Sequence, residues 1–451
     1  MEKISSCTSS ELDLFAEQQY QNMIREGDWG YYAADLKINN QPRIDVPKSA
    51  KFFDLSNSFI AFVVKIYKLN GSNEITPTNS EKISLTNNFV GTAFKQIQIK
   101  LDDQEIENSN STYAIEDYIK RTLNEPRDTK DTFLQNHCYY ADSPSLFDLT
   151  EVSKTKTSTS SSSSSSSETK TESVVVNEGF YQRNKRILDG KGEVEVRGPI
   201  SSALFNCGKF LLKQTKLTIV LTKNDDSFAL IGDNNFKFKF VNCGLWVKQV
   251  VPNDDIVNMI NERLVSSAIH YNTIKTKVSI YTFDGKTDNL SQIINPDNLI
   301  PNKLVVCFAD NDAIATGNYA KNPFNFQNYN IKEIDLREGT SQFPYTTALT
   351  FDFENNKFLD GYWTLFNGIQ KPSFDSHIDM NAYKNGYFFI AYDLRRSEDC
   401  PEYKEISRSG CLTLNVKFKE AINKPISIIC YQEFNHTIKI QVKQDGSKIF
   451  S

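Results

Sequence analysis

Four histidines, eight cysteines and one close pair of aspartates are the first residues of this 451-residue chain to weigh for chemistry. The histidines, His137, His270, His377 and His436, have no ligand-like mutual spacing, and there is no H-E-x-x-H. The cysteines (Cys7, Cys138, Cys207, Cys243, Cys307, Cys400, Cys411 and Cys430) are scattered without a C-x-x-C pair, so no zinc or dithiol motif is spelled out. His137 and Cys138 are adjacent, but neighbouring side chains on a strand point to opposite faces, so a structural or exposed role is expected of them. Asp310 and Asp312 follow the apolar run Leu304 to Phe308. Two carboxylates about 5–9 Å apart can serve as acid and base in glycoside hydrolysis, or they can hold calcium. Asp and Asn also favour turns at strand ends, and the turn is the expected reading. Trp246 and Trp363 could form a sugar-stacking platform, with core packing as their ordinary role. G-x-G-x-x-G, G-x-x-x-x-G-K-[ST] and G-x-S-x-G are all missing. Neither catalytic residues, a cofactor nor a metal is therefore expected.

The elements that would position such groups are mostly strands. Aromatics make up 12% of the chain, with 31 Phe and 20 Tyr, which favours β structure. The net charge of −5 argues against a basic nucleic-acid-coating protein or a polybasic membrane binder. No apolar run approaches the roughly 18 residues of a membrane span. Met1 to Asp13 is polar with no signal-peptide core, so reduced thiols in a cytoplasmic or nuclear compartment are expected.

Apolar alternation marks Ile97-Ile99-Leu101, Leu217-Ile219-Leu221 and Phe236-Phe238-Phe240 as half-buried strands. Phe59 to Tyr67 is apolar on both faces, as in a strand enclosed in a core. Further strands are expected at Leu245 to Val251, Val278 to Phe283, Leu304 to Phe308, Tyr387 to Asp393, Leu412 to Phe418, Ile426 to Tyr431 and Ile438 to Val442. Short strands between Asn, Asp, Gly and Pro clusters indicate sandwiches or jelly rolls. Three helices interrupt them. One starts at Ser10-x-x-Asp13 and ends at Gly27, with Leu12, Phe15, Ala16, Gln19, Met23 and Ile24 on one face. The second covers Ala114 to Leu123. The third follows Pro252, with Asp254 as N-cap and Ile256, Met259, Ile260 and Leu264 on one face. Lys154 to Lys170 holds the serine run Ser160 to Ser167 and no apolar residue, so a disordered insertion is expected there. The polar stretch Asn224 to Asn235 is the expected domain boundary. A helix after a few strands in each half suggests two copies of one plan.

A series of ordered stretches resembles the double-jelly-roll major capsid proteins of Polintons (Mavericks) and their adintovirus relatives. They begin with Ser10-Glu-Leu-Asp-Leu-Phe15, Phe53-Asp-Leu55 and Asn87-Asn-Phe-Val-Gly-Thr-Ala-Phe94, then Tyr113 opening the second helix. Gly179-Phe-Tyr-Gln-Arg183, Arg197-Gly-Pro-Ile200 and Phe210-Leu-Leu212 follow. The second half adds Leu245-Trp-Val-Lys-Gln-Val250, Phe308-Ala-Asp-Asn311 and Asn318-Tyr-Ala-Lys-Asn-Pro-Phe-Asn-Phe326. Tyr383-Lys-Asn-Gly-Tyr387, Ala391-Tyr-Asp-Leu394, Gly410 and Tyr431-Gln-Glu-Phe434 complete the series. The serine-rich insertion at about 152–172 is the main departure. Leu188-Asp189-Gly190-Lys191-Gly192 also resembles the cleavage consensus of adenovirus-type maturation proteases, although a glycine turn between strands explains it more simply.

The resemblance implies an all-β fold of two tandem eight-stranded jelly-roll barrels, a double jelly roll with a few short helices. The expected division is an N-terminal arm or helix at 1–30, a first barrel at 31–230 with a disordered serine-rich insertion at 153–172, and a second barrel at 231–451. It implies a structural, non-enzymatic capsid protein in the virion shell, whose homotrimers form pseudo-hexagonal capsomers. The implied partners are other copies of the chain, a single-jelly-roll penton protein and minor capsid proteins, with encapsidated DNA contacted at most indirectly. Leu12, Phe15 and Ile24 are the expected contact residues of an arm at the capsomer base, and the serine-rich segment is expected in an outward tower. The alternative is a jelly-roll glycan-binding module or glycosidase using Asp310 and Asp312.

Overall fold

A computed structural model of the chain describes residues 23–37, 41–160, 168–369, 375–396, 405–443 and 448–450. The first eight strands of the sandwich framework are β1 (Ile24–Ala33), β2 (Arg43–Val46), β3 (Phe52–Asn70), β4 (Phe94–Leu101), β5 (Gln104–Asn108), β6 (Glu193–Gly198), β7 (Leu217–Lys223) and β8 (Phe236–Pro252). They form two antiparallel sheets in the orders β1-β8-β3-β6 and β2-β7-β4-β5. The next eight are β9 (Ile269–Phe283), β10 (Asn289–Ile293), β11 (Lys303–Asp310), β12 (Ile331–Glu338), β13 (Ser341–Gln342), β14 (Ile390–Asp393), β15 (Leu412–Phe418) and β16 (Ile426–Val442). Their sheets run β9-β16-β11-β14 and β10-β15-β12-β13. Counted from the first strand of each half, both halves read 1-8-3-6 and 2-7-4-5. That is the jelly roll, twice. A short strand, β17 (Lys448–Phe450), adds to β16.

Alternation drives the sandwiches as the sequence predicts. Ile60, Phe62, Val64 and Ile66 of β3 point inward, as do Ile97, Ile99 and Leu101 of β4 and Leu217, Ile219 and Leu221 of β7. Phe62 meets Phe94 edge-on across the two sheets at a centroid distance of 5.3 Å.

Several expectations are corrected. Phe236–Phe240 and Leu245–Val251 are one strand, β8, whose register shifts at Phe240/Asn242 and Trp246/Lys248 absorb the polar break between them. β8 hydrogen-bonds to β1 and β3, so a boundary at 230 removes the closing strand from the first barrel. The chain passes to the second barrel through the helix at 254–266 instead. Ile426–Tyr431 and Ile438–Val442 are likewise one strand, with Asn435 and His436 paired to Ile274 and Thr273 of β9. Where the N-terminal helix is expected to run on to Gly27, the chain from Ile24 is strand β1, and residues 1–22 lie outside the described residues. Gly27 and Gly30 disfavour a helix, and Trp29, Tyr31 and Tyr32 suit a sheet. An arm ending at residue 30 would therefore cut a strand of the first barrel. Leu12 and Phe15 lie outside the described residues. The serine-rich segment is not wholly irregular. Thr155–Ser160 pairs antiparallel with Glu168–Ser173, because a ladder can satisfy the backbone of threonine-rich arms without a core. Its tip, residues 161–167, is outside the described residues.

The helices are α1 (Tyr113–Asn124), α2 (Glu178–Asp189), α3 (Asp254–Ser266) and α4 (Leu359–Gly368), with shorter turns elsewhere. On α3 the N-cap is Asn253, not Asp254, and no residue of the helix is fully buried. The two cores interlock. Ala114, Ile115, Tyr118 and Ile119 of α1 join the second core, although α1 belongs to the first half of the chain. Tyr271 of β9, Ile438 and Ile440 of β16 and Phe450 join the first core. The Tyr118 ring stacks on Phe324 with centroids 3.8 Å apart. Tyr118→Ala should therefore cost about 3–5 kcal/mol. Differential scanning calorimetry should show one transition for both barrels, shifted as a unit, and not a second barrel melting alone.

Candidate functional site

The polar groups of the junction are the most constrained in the molecule. Arg183 of α2 and Asp142 are both fully buried, with Nη2 2.7 Å from Oδ1. The Arg183 Nε donates to the Leu85 carbonyl at 2.8 Å and Nη1 to the Tyr140 carbonyl at 2.6 Å. Asp142 also accepts from Asn177 Nδ2 on Oδ1 at 2.9 Å and from Asn322 Nδ2 on Oδ2 at 3.2 Å. The Tyr387 hydroxyl donates to the Asp142 carbonyl at 3.1 Å. Asn322 and Tyr387 come from the second half, so one carboxylate gathers both halves.

A second anchor lies on α1. Asp117, fully buried, accepts from Asn88 Nδ2 at 2.6 Å and from the Ser201 hydroxyl, and its carboxylate is 3.4 Å from Arg121 Nε. A third is Lys130, whose buried ammonium donates to the Thr122 carbonyl at 2.5 Å and the Ser376 carbonyl at 3.4 Å. It lies 3.0 Å from His377 Nδ1. An ammonium has no acceptor, so Nδ1 accepts. Burial and the Lys130 charge hold His377 well below the usual histidine range, hence neutral.

Two of the stretches that carry the capsid resemblance are explained here. Gly386 has φ +117, and a Cβ on it would strike the Phe147 ring. A Cβ on Gly198 would stand 2.8 Å from the His137 ring. Asp117 and Asp142 were not legible as anchors, since a lone Asp in a helix or beside Ser-Pro carries no pattern that reports burial.

Two clefts open beside the junction. One of about 460 Å³ is lined by Asp131, Asp375, His377 and Tyr387 among others. The other, of about 820 Å³, is lined by Lys120, Thr276, Lys303, Tyr431 and Glu433 among others. In the second, Lys303 pairs with Glu433 at 3.0 Å and the Tyr431 hydroxyl donates to Glu433 at 2.8 Å, so these groups satisfy one another.

The sequence candidates do not converge on a catalytic centre. Asp310 pairs with Lys424 at 3.1 Å and accepts from the Asp312 backbone N–H at 3.2 Å, and Asp312 opens a five-residue π-helix in place of the simple turn expected. His137 and Cys138 are fully buried at the end of a short 3-10 helix, not on a strand. Burial pushes His137 down to about 4, with the Arg121 charge adding, and pushes the Cys138 thiol up to about 11. Neither is a base or a thiolate at neutral pH. Leu188 to Gly192 is the turn from α2 into β6, a helix-to-strand rather than strand-to-strand turn, with Gly192 at φ +88. Neither tryptophan is in a core. Trp363 on α4 is 67% exposed, and Trp246 is half-buried on the outward face of β8.

Two experiments test these anchors. Asp142→Asn leaves the Arg183 charge buried and unpaired, and should lower stability by about 3–5 kcal/mol in urea unfolding. The other concerns Glu116 of α1, whose carboxyl is pushed up to about 8 by burial, with the Glu107 and Asp117 charges adding and Lys120 opposing. Its ordinary value is 4.5, so between these values the fold holds a proton that the unfolded chain has released. The stability from this group is whole below about 4.5 and is lost as pH rises through about 8. The wild-type urea midpoint should therefore fall between pH 6 and 9, and Glu116→Gln should flatten that fall.

No protein-family model matches the chain. It is 21% identical over 407 residues to the uncharacterized protein F54H12.2 of Caenorhabditis elegans, covering 87% of this chain and 89% of that one. Among solved structures, a chain of the Sputnik virophage structure matches with TM-score 0.62 at 12% identity, covering all of this chain and 93% of that one. The mavirus major capsid protein matches with TM-score 0.51 at 11% identity, covering 100% and 94%. The Faustovirus major capsid protein matches with TM-score 0.53 at 8% identity, covering 94% and 92%. The fold is the double jelly roll of viral major capsid proteins, as the sequence predicts.

Proposed function

We propose that the chain is a structural major capsid protein of the Polinton/Maverick, adintovirus-like kind, whose homotrimers tile an icosahedral shell. The observation that carries this reading is the repeated strand order in two barrels locked by shared cores and the Asp142 anchor. Two similar barrels per subunit and three subunits per ring give six barrels and a nearly hexagonal outline, which can tile a closed surface. The likeness to the mavirus major capsid protein and the occurrence of a similar chain in a nematode support an element carried in a host genome.

In this reading the protein acts by shape and does no chemistry. Its partners are its own copies, a penton protein and minor capsid proteins, with DNA contacted at most indirectly, and its place is the virion shell. The serine-rich hairpin belongs to the outward loops. Leu12 and Phe15 are assigned in this reading to an arm at the base, while Ile24 opens strand β1, and next to it the Met23 carbonyl accepts from the Asn253 N–H at 2.9 Å.

Light scattering of the purified protein should give three times 51.5 kDa, and negative-stain microscopy should show hexagonal capsomers or shells. A monomer at every concentration would overturn the reading.

A further inference from the structure

The contact between Lys130 and His377 exists in one protonation state only. Lys130, on the short helix Arg127–Asp131 of the first half, is buried and holds its ammonium 3.0 Å from Nδ1 of His377 in the second half. Nδ1 must offer a lone pair, so the ring proton sits on Nε2, which is shielded from water and has no hydrogen-bond partner among the described residues. A second ring proton would go to Nδ1 and turn the hydrogen bond into a contact between two cations. The His377 backbone stands at φ +52, a left-handed conformation that a residue with a side chain enters at a cost and that surrounding contacts must hold. Those contacts cross between the halves. The Arg127 N–H donates to the Asp375 carbonyl at 2.8 Å, and Lys130 donates to the Ser376 carbonyl at 3.4 Å.

We infer that His377 is an acid-operated latch between the two halves: when its ring takes a second proton, segment 375–379 lets go of the helix Arg127–Asp131, and the cleft of about 460 Å³ beside them opens. This inference does not depend on the capsid reading. The charges facing the ring set its sign. Lys130, Arg127, Asp131 and Asp142 face it from the first half, and Asp375 and Asp379 belong to its own segment. Each carboxylate is engaged elsewhere: Asp131 with Arg127 at 3.6 Å, Asp142 with Arg183, Asp375 with the His377 backbone N–H at 3.4 Å, and Asp379 with the Ala382 N–H at 2.7 Å. The Tyr139 and Tyr387 rings stand edge-on at 6.5 and 5.2 Å, and burial keeps their hydroxyls neutral. α4 adds only the Tyr362 and Phe366 rings. Burial first, then Lys130 and Arg127, hold His377 well below its ordinary 6.5. A released segment takes the proton near 6.5 and the latched one only at much lower pH. The latch is therefore whole above about 6.5 and loosens as pH falls. His137 also resists a proton, but it packs on Gly198 and beside Arg121 within the first half, so it does not join the halves. The Asp142–Arg183 pair and the shared cores do not use His377, so the barrels stay folded while the segment opens.

The test is hydrogen–deuterium exchange of the full chain, read by mass spectrometry at pH 7.5 and 5 and corrected for the intrinsic pH dependence of exchange. Each pH unit below the ordinary value multiplies the open fraction about tenfold, so peptides covering 127–131 and 375–384 should exchange about 30-fold faster at pH 5, with β11 unchanged. His377→Gln keeps an acceptor for Lys130 and does not titrate, so its exchange should stay within about twofold across the same range. A wild type with no excess exchange in these peptides at pH 5 overturns the inference. So does a Gln variant that opens as far as the wild type. Should that variant fail to fold, His377→Asn, a residue at home at φ +52, carries the same expectation and the same overturning result.

Discussion

Arg183 carries a charge with no route to solvent, and its placement is the constraint from which the relation of the two barrels follows. Taking such a pair out of water costs several kcal/mol per ion, which the attraction offsets only when every remaining donor and acceptor is met. Here each nitrogen of Arg183 and each carboxylate oxygen of Asp142 has a partner, supplied from distant parts of the chain. Leu85, Tyr140 and Asn177 come from the first half, Asn322 and Tyr387 from the second. An apolar contact can slide by an ångström at little cost. A buried carboxylate that needs Asn322 on one oxygen and Arg183 on the other cannot. The anchor thus acts as a register device: other placements of the barrels leave a buried charge short of partners.

Interlocked cores reinforce that register. β9 and β16 are hydrogen-bonded along their length, yet their side chains change allegiance part-way. Ile426 to Tyr431 fill the second core, while Ile438 and Ile440, with Tyr271 opposite, fill the first. α1 makes the reverse crossing with Tyr118 and Ile119. Independent domains joined by a linker would move relative to one another by default. Strands shared between two cores remove that freedom. Rigid placement suits the proposed role as a tile, because in a closed ring the angular error of each subunit would add.

The periodic elements were legible in the sequence because their signal is local. Alternation at Ile97-Ile99-Leu101 and Leu217-Ile219-Leu221 reports one buried face, and the structure buries those residues. Reading failed where a local signal carried a non-local cause. Asn435 and His436 look like a break between strands, but they mark the point where one strand leaves one core for the other. Asn242 and Gly244 look like a turn, but they follow a bulge inside β8. The apolar spacing that extends to Met23 and Ile24 looked helical, although from Ile24 onward pairing with β8 prevails. The anchors Asp117 and Asp142 left no trace, because burial of a single carboxylate is a property of the fold. The resemblance nevertheless carried some of that information. Arg183, Asn88, Asn322 and Gly386 all lie in its stretches, and each proves to hold or abut the junction.

The two barrels share a plan and differ where they face outward. In the first, the outer sheet sets Trp29, Tyr31, Phe59 and Trp246 in a row. In the second, the corresponding sheet carries α4 against β14, with Gly368 close on the Ala391 backbone. Like strand orders give the barrels like footprints, and unlike faces give them unlike neighbours. In the proposed trimer, three such chains would set six similar posts in a ring.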